Sequence, residues 1–85
     1  MLEKEFAYPA VFHKNLDGSY TVVFPDLPGC ISEGKNLMNA IAMARKTLGQ
    51  WRDYLIENNE KIPKSSDLRL IRPKKNETVI LVMAS

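Results

Sequence analysis

The chain has 85 residues, 45% apolar and 26% charged, and its 12 basic and 10 acidic side chains leave a net charge of +2. That length builds one domain over residues 1–85, with a core so thin that oligomerisation is a natural supplement. The charge is too weak to argue for nucleic acid, and no apolar run approaches the ~18 residues that span a bilayer. The single cysteine excludes an internal disulfide and fits a reducing, cytosolic setting.

The start, Met1-Leu2-Glu3-Lys4-Glu5, is charged and no signal-peptide core follows it. Residues 6–14, FAYPAVFHK, alternate as a strand, with Phe6, Tyr8, Ala10 and Phe12 on one face and Ala7, Pro9, Val11 and His13 on the other. Pro9 donates no ladder hydrogen bond, so its nitrogen must face away from a neighbour or sit near the strand's start. Asp17-Gly18 tolerates positive φ and predicts a hairpin into a second strand over residues 19–24. Both faces of that strand are fairly apolar, which predicts good cover.

Phe24-Pro25-Asp26-Leu27-Pro28-Gly29-Cys30 then compresses two prolines, an aspartate, a glycine and the cysteine into seven positions. The prolines stiffen the path, Asp26 can hold local amides, and Gly29 permits a geometry closed to other residues. A short third strand from Cys30 to Glu33 follows.

Asn36 is the natural N-cap of a helix from Leu37, although position 39 is Asn and supplies no capping-box carboxylate. Leu37, Ala40, Ile41, Ala44, Leu48, Trp51 and Leu55 share one helical stripe. Asn39, Lys46, Asp53 and Glu57 lie opposite. Gly49 weakens the helix by roughly 1 kcal/mol, on a flank where a neighbouring backbone can approach. Asn58-Asn59 ends it, because asparagine tolerates the left-handed cap conformation. After a connector, residues 68–72 are expected to be extended. Residues 73–76 turn, and Thr78 to Met83, a continuous apolar run, predict a buried strand. The order β-β-β-α-β defines an α+β sandwich, a mainly antiparallel sheet packed on one long helix.

Tyr8-Pro9-Ala10-Val11-Phe12, Asp17-Gly18-Ser19-Tyr20, the segment Phe24 to Cys30, the helix and Ile62-Pro63-Lys64-Ser65-Ser66 fall in an order that resembles the N-terminal domain of HicB antitoxins. The likeness covers roughly residues 6–84. It implies a partly degraded RNase H fold that neutralises HicA, a small mRNA-cleaving toxin, by occluding it. It also implies dimers or higher homo-oligomers. Full-length members usually carry a C-terminal DNA-binding domain, for which residues 1–85 leave no room. Direct nucleic-acid binding and autorepression are therefore not expected of this domain. Against a basic toxin, Asp26, Glu33 and Asp53 become the electrostatic contacts. Pro28 and Gly29 carry the family motif.

The residues argue against chemistry. An RNase H site needs carboxylates converging on two metal ions, and the first strand offers none. One Cys and one His cannot make a zinc site, and no glycine loop cradles phosphate. No cofactor is expected. His13 has no nameable partner to orient it. Cys30 has neutral neighbours, Gly29 and Ile31, and is expected to pack rather than react. Trp51 belongs to the core stripe, whereas Tyr54 and Met43 lie on the flank as contacts for a second copy or a toxin. The other two readings are a residual Mg²⁺-dependent nuclease and a stand-alone oligomeric domain with a different partner.

Overall fold

A computed structural model describes residues 6–85, and the charged start Met1–Glu5 lies outside the described residues. The elements are β1 (Ala7–Lys14), β2 (Tyr20–Val23), β3 (Ile31–Gly34), α1 (Leu37–Glu57), a 3-10 turn (Leu68–Leu70) and β4 (Glu77–Met83). The strands form one sheet in the order β3-β2-β1-β4, with every neighbouring pair antiparallel. The helix thus lies between two edge strands in sequence, and β4 returns beside β1.

Local chemistry sets the turns and caps. Gly18 has a φ of +91°, and Asn15 and Ser19 close the β1–β2 hairpin around it. Asn36 caps α1 by accepting from the Asn39 amide at 2.9 Å. Asn39 supplies a reciprocal contact of its own, accepting from the Lys35 amide at 2.9 Å. At the other end Asn59 takes the left-handed conformation, with φ +54°. The Asn59 amide donates to the Ile56 carbonyl and the Glu60 amide to that of Leu55, the paired bonds of a Schellman ending.

The core lies between helix and sheet. Tyr8, Ala10, Phe12, Val22, Phe24, Leu27, Cys30, Ala40, Ala44, Leu48 and Val82 are buried together, with Ile41 and Trp51 partly buried against them. Leu37 departs from the expected stripe. It sits in the first turn, beyond the sheet, and is exposed. Gly34 ends β3 directly under the start of α1, where an added Cβ would lie 2.4 Å from the Ala40 backbone. Only glycine lets the two elements approach that closely. Gly49 meets the chain end as its flank position suggested, with the Ser85 carbonyl oxygen 3.1 Å from where a Cβ would be.

Pro9 satisfies its constraint. The Phe6 carbonyl and Lys14 amide both bond towards β4, so even positions of β1 turn that way and odd ones towards β2. Pairing with β2 begins only at Val11–Val23, so the Pro9 nitrogen faces no ladder partner.

Three further expectations are corrected. Leu68–Leu70 is a 3-10 turn rather than an extended segment, because the Asp67 carboxylate caps the Arg69 amide at 2.9 Å and pairs with the Arg69 guanidinium. β4 is an edge strand with only Val82 buried, and Leu81 and Met83 are 50% and 43% exposed. The helix covers the face that carries Val82, and on the opposite face Pro9 is buried, Val11 and Val79 are half-buried, and Val23, Ile31, Leu81 and Met83 are exposed. For the same reason β2 is covered on one side only, since Val22 is buried and Val23 is 41% exposed.

Candidate functional site

The segment Phe24 to Cys30 folds as two successive turns. The Leu27 amide donates to the Phe24 carbonyl at 3.0 Å, and the Cys30 amide to the Leu27 carbonyl at 2.9 Å. Pro28 and Gly29 hold the central positions of the second turn, with Gly29 at φ +93°, the arrangement of a type II turn. The three-residue spacing turns Phe24, Leu27 and Cys30 inward, where all three are buried. Trp51 comes down over the loop, its ring edge 3.5 Å from where a Gly29 Cβ would be. Burial pushes the Cys30 thiol up to about 11, so the thiolate is scarce at neutral pH. Cys30 is a packing residue.

Asp26 does not hold local amides as the sequence suggested. Its carboxylate accepts from the Ser66 amide at 2.8 Å and from the Ser66 hydroxyl at 2.6 Å, forty residues away. Nearby the Tyr8 hydroxyl donates to the Pro63 carbonyl. Burial, and then the Asp26 charge, raise the Tyr8 phenol above its ordinary pKa, which keeps it a donor. The two distinctive motifs, PDLPGC and IPKSS, therefore hold each other. This latch fixes the connector from α1 across the end of the sheet. Sequence reasoning missed it because nothing local pairs residues 26 and 66.

The remaining site residues divide. Glu33 and Met43 come together around a shallow hollow at the β3–α1 junction, shared with Ser19, Gly34, Lys35 and Asn39. Tyr54 stands half exposed beside Trp51, ring centres 6.1 Å apart. Asp53 is exposed and pairs with its neighbour Arg52 at 3.2 Å. Pro28 and Gly29 are exposed at the loop. Asp26 has both carboxylate oxygens engaged within the chain.

The sheet face away from the helix carries a pattern that the sequence reading did not isolate. Strand register aligns Ile31, Val23, Val11 and Val79 in one row across all four strands, and Glu33, Thr21, His13 and Glu77 in the next. Ile31 is 58% exposed. The face thus has an apolar part and a parallel row with an acid at each end. His13 has a partner after all, its Nδ1 lying 3.2 Å from a Glu77 carboxylate oxygen. Glu77 also accepts from the Lys74 amide at 2.9 Å, and that bond, followed by His13, holds its carboxyl below the usual pKa. Among the described residues no hydroxyl or thiol hydrogen-bonds to the pair, and the neighbouring Thr21 hydroxyl is taken by Asn15. Among the described residues no three His, Cys, Asp or Glu side chains are placed to hold a metal ion, and no helix is long and apolar enough to cross a membrane.

An antiparallel sheet closed by a helix on one face, with its distinctive loop spent on an internal latch, defines an α+β domain whose prominent features are surfaces. Residues 8–85 match the family described as the HicB-like antitoxin of bacterial toxin–antitoxin systems. The chain belongs to that family. It is 31% identical over 78 residues to an uncharacterised 14.9 kDa protein of Haemophilus phage HP1, covering 89% of this chain and 58% of the relative. It is 35% identical over 60 residues to Antitoxin HicB 1 of Photorhabdus laumondii, covering 71% of this chain and 39% of that protein. The chain therefore spans little more than half of one curated relative and less than half of the other. The crystal structure of the N-terminal domain of Burkholderia pseudomallei antitoxin HicB superposes with a TM-score of 0.78 at 26% identity, covering 93% of this chain and 98% of that one.

Proposed function

We propose that this domain neutralises a HicA-type mRNA-cleaving toxin by binding and occluding it, with no chemistry of its own. Membership of an antitoxin family sets the class. The observation that carries the mechanism is the face away from the helix, where Ile31 and Val23 stand 58% and 41% exposed beside the carboxylate of Glu33. Exposed apolar side chains rimmed by acids suit a basic, RNA-binding partner, because burial supplies affinity and charge supplies orientation. The hollow that joins Glu33 to Met43 extends that surface around the edge of β3. An mRNA-cleaving partner places the pair in the cytoplasm. The domain binds no nucleic acid itself and associates with further copies of itself.

The test is co-expression with a HicA-type ribonuclease, sought as a small basic reading frame next to this gene, followed by co-purification and an RNA-cleavage assay. The wild-type chain should co-purify with the ribonuclease and abolish cleavage. Ile31→Lys should weaken the complex by on the order of 100-fold, since it buries an unpaired charge. Failure of the wild-type chain to bind or inhibit would overturn the reading. Unimpaired inhibition by Ile31→Lys would move the contact to another surface, with Tyr54→Ala on the helix as the next variant.

A further inference from the structure

β4 is an unusual edge. Thr78 to Met83 carries no charge, proline or glycine, and its seven residues pair with β1 without a bulge. Edge strands normally carry such devices to prevent pairing with another chain. The opposite edge shows them, for β3 is four residues long, contains Glu33 and is followed by Lys35.

The free polar groups on β4 can be identified. The Ala84 amide bonds to the Phe6 carbonyl and the Lys14 amide to that of Asn76, so even positions of β4 turn towards β1. Val79, Leu81 and Met83 turn outward. The Met83 carbonyl already accepts from Arg45 Nε at 3.2 Å. The amides and carbonyls of Val79 and Leu81 have no partner among the described residues. The 3-10 turn touches β4 but gives neither residue a hydrogen bond.

We infer that a second copy of this chain pairs with β4 through β4, antiparallel and with the two-fold axis at Ile80. This deepens the self-association proposed above by naming its seam. In that register Val79 of each copy lies opposite Leu81 of the other, and their free groups make about four hydrogen bonds. Val79 meets Leu81 on the face away from the helix, and Ile80 meets its twin on the helix side. Glu77, the strand's one charge, falls opposite Met83 of the other copy, so the two Glu77 side chains lie at opposite ends of the seam and do not meet. A register centred on Leu81 would instead require the Met83 carbonyl that Arg45 already occupies. The edge is self-complementary, since one two-fold operation sets the Val79 groups of each copy against the Leu81 groups of the other. Joining the sheets also enlarges the thin core of a short chain.

Sedimentation velocity on the 85-residue chain over a concentration series should give a monomer–dimer equilibrium. Hydrogen exchange should slow with concentration at the Val79 and Leu81 amides. The Ile80 amide, already bonded to β1, should not respond. Leu81→Lys should weaken dimerisation on the order of 100-fold by placing two lysines against apolar neighbours, with circular dichroism confirming the fold. The double variant Val79→Glu plus Leu81→Lys should restore the dimer, because the Ile80 register sets each new glutamate against a new lysine. A wild-type monomer at every concentration would overturn both self-association and the seam. A dimer indifferent to Leu81→Lys would remove the seam and leave self-association standing. Failure of the double variant to restore the dimer would reject the register.

Discussion

The two faces of one sheet meet opposite fates. On the helix side Tyr8, Ala10, Phe12 and Val22 are at most 3% exposed. On the other side Val23, Ile31, Leu81 and Met83, from adjacent positions in the same or neighbouring strands, are 41–58% exposed. Residue type does not separate the two sets. One 21-residue helix can cover only one face, and α1 packs most closely against β3 and the helix-side residues. The helix side is thus fully packed, whereas the other side buries Pro9 but leaves these four apolar side chains exposed among the described residues.

That contrast breaks most directly at Phe12 and Ile31. Phe12→Ala removes a fully buried ring and should cost about 3–5 kcal/mol in urea unfolding, because little around it can collapse into the cavity. Ile31→Ala, on the exposed face, should change stability by no more than about 0.5 kcal/mol while weakening partner binding. A large stability loss at Ile31 would mean that its face helps to hold the domain together.

A smaller effect tests whether the latch belongs to the fold or to the surface. Asp26→Ala should cost about 1–2 kcal/mol, below the range for buried charged bonds because both partners are solvated. Ser66→Ala should cost about 0.5–1.5 kcal/mol, since its amide still reaches Asp26. The double variant should cost less than the sum, as expected for side chains that share a bond. Additive losses would show that the two residues act separately.

The sequence made visible what local chemistry decides. Asp17-Gly18 announced the hairpin, Asn36 and Asn59 the two ends of the helix, and the helical stripe its buried side from Ala40 onward. The order of short motifs announced the family. What stayed hidden depends on neighbours distant in sequence. Asp26 finds Ser66, His13 finds Glu77, and Gly34 lies under Ala40 only once the sheet has assembled. β4 is the clearest case. An apolar run such as TVILVM has the same letters in a central strand and at an edge, and only the sheet order decides which it becomes. Glu33 and Met43 were separate suggestions along the chain, and the β3–α1 junction brings them together. Asp53 remains apart from them.

The smallest expected effect asks whether the polar row on the open face also supports the fold. Glu77→Gln keeps the shape of the side chain and an oxygen that can still accept from the Lys74 amide, so the change isolates charge. Because the Glu77 carboxyl is held below its ordinary pKa, first by that amide and then by His13, the unfolded chain binds its proton more readily than the folded one. Its contribution is fully present above the unfolded value of about 4.3 and is lost as pH falls through the lower folded value. Asp17 and Asp67 are lowered in the same direction by Ser19 and Arg69, so Glu77 is not alone in contributing to the acid sensitivity of the wild type. Urea melts across this range should show Glu77→Gln slightly less stable near neutral pH, with the difference closing as the pH falls below the ordinary glutamate range. A difference that persists unchanged into acid would mean that the amide and His13 favour no charge on Glu77. Its carboxylate would then serve the open face as an acid presented to a partner, with no part in holding the strands.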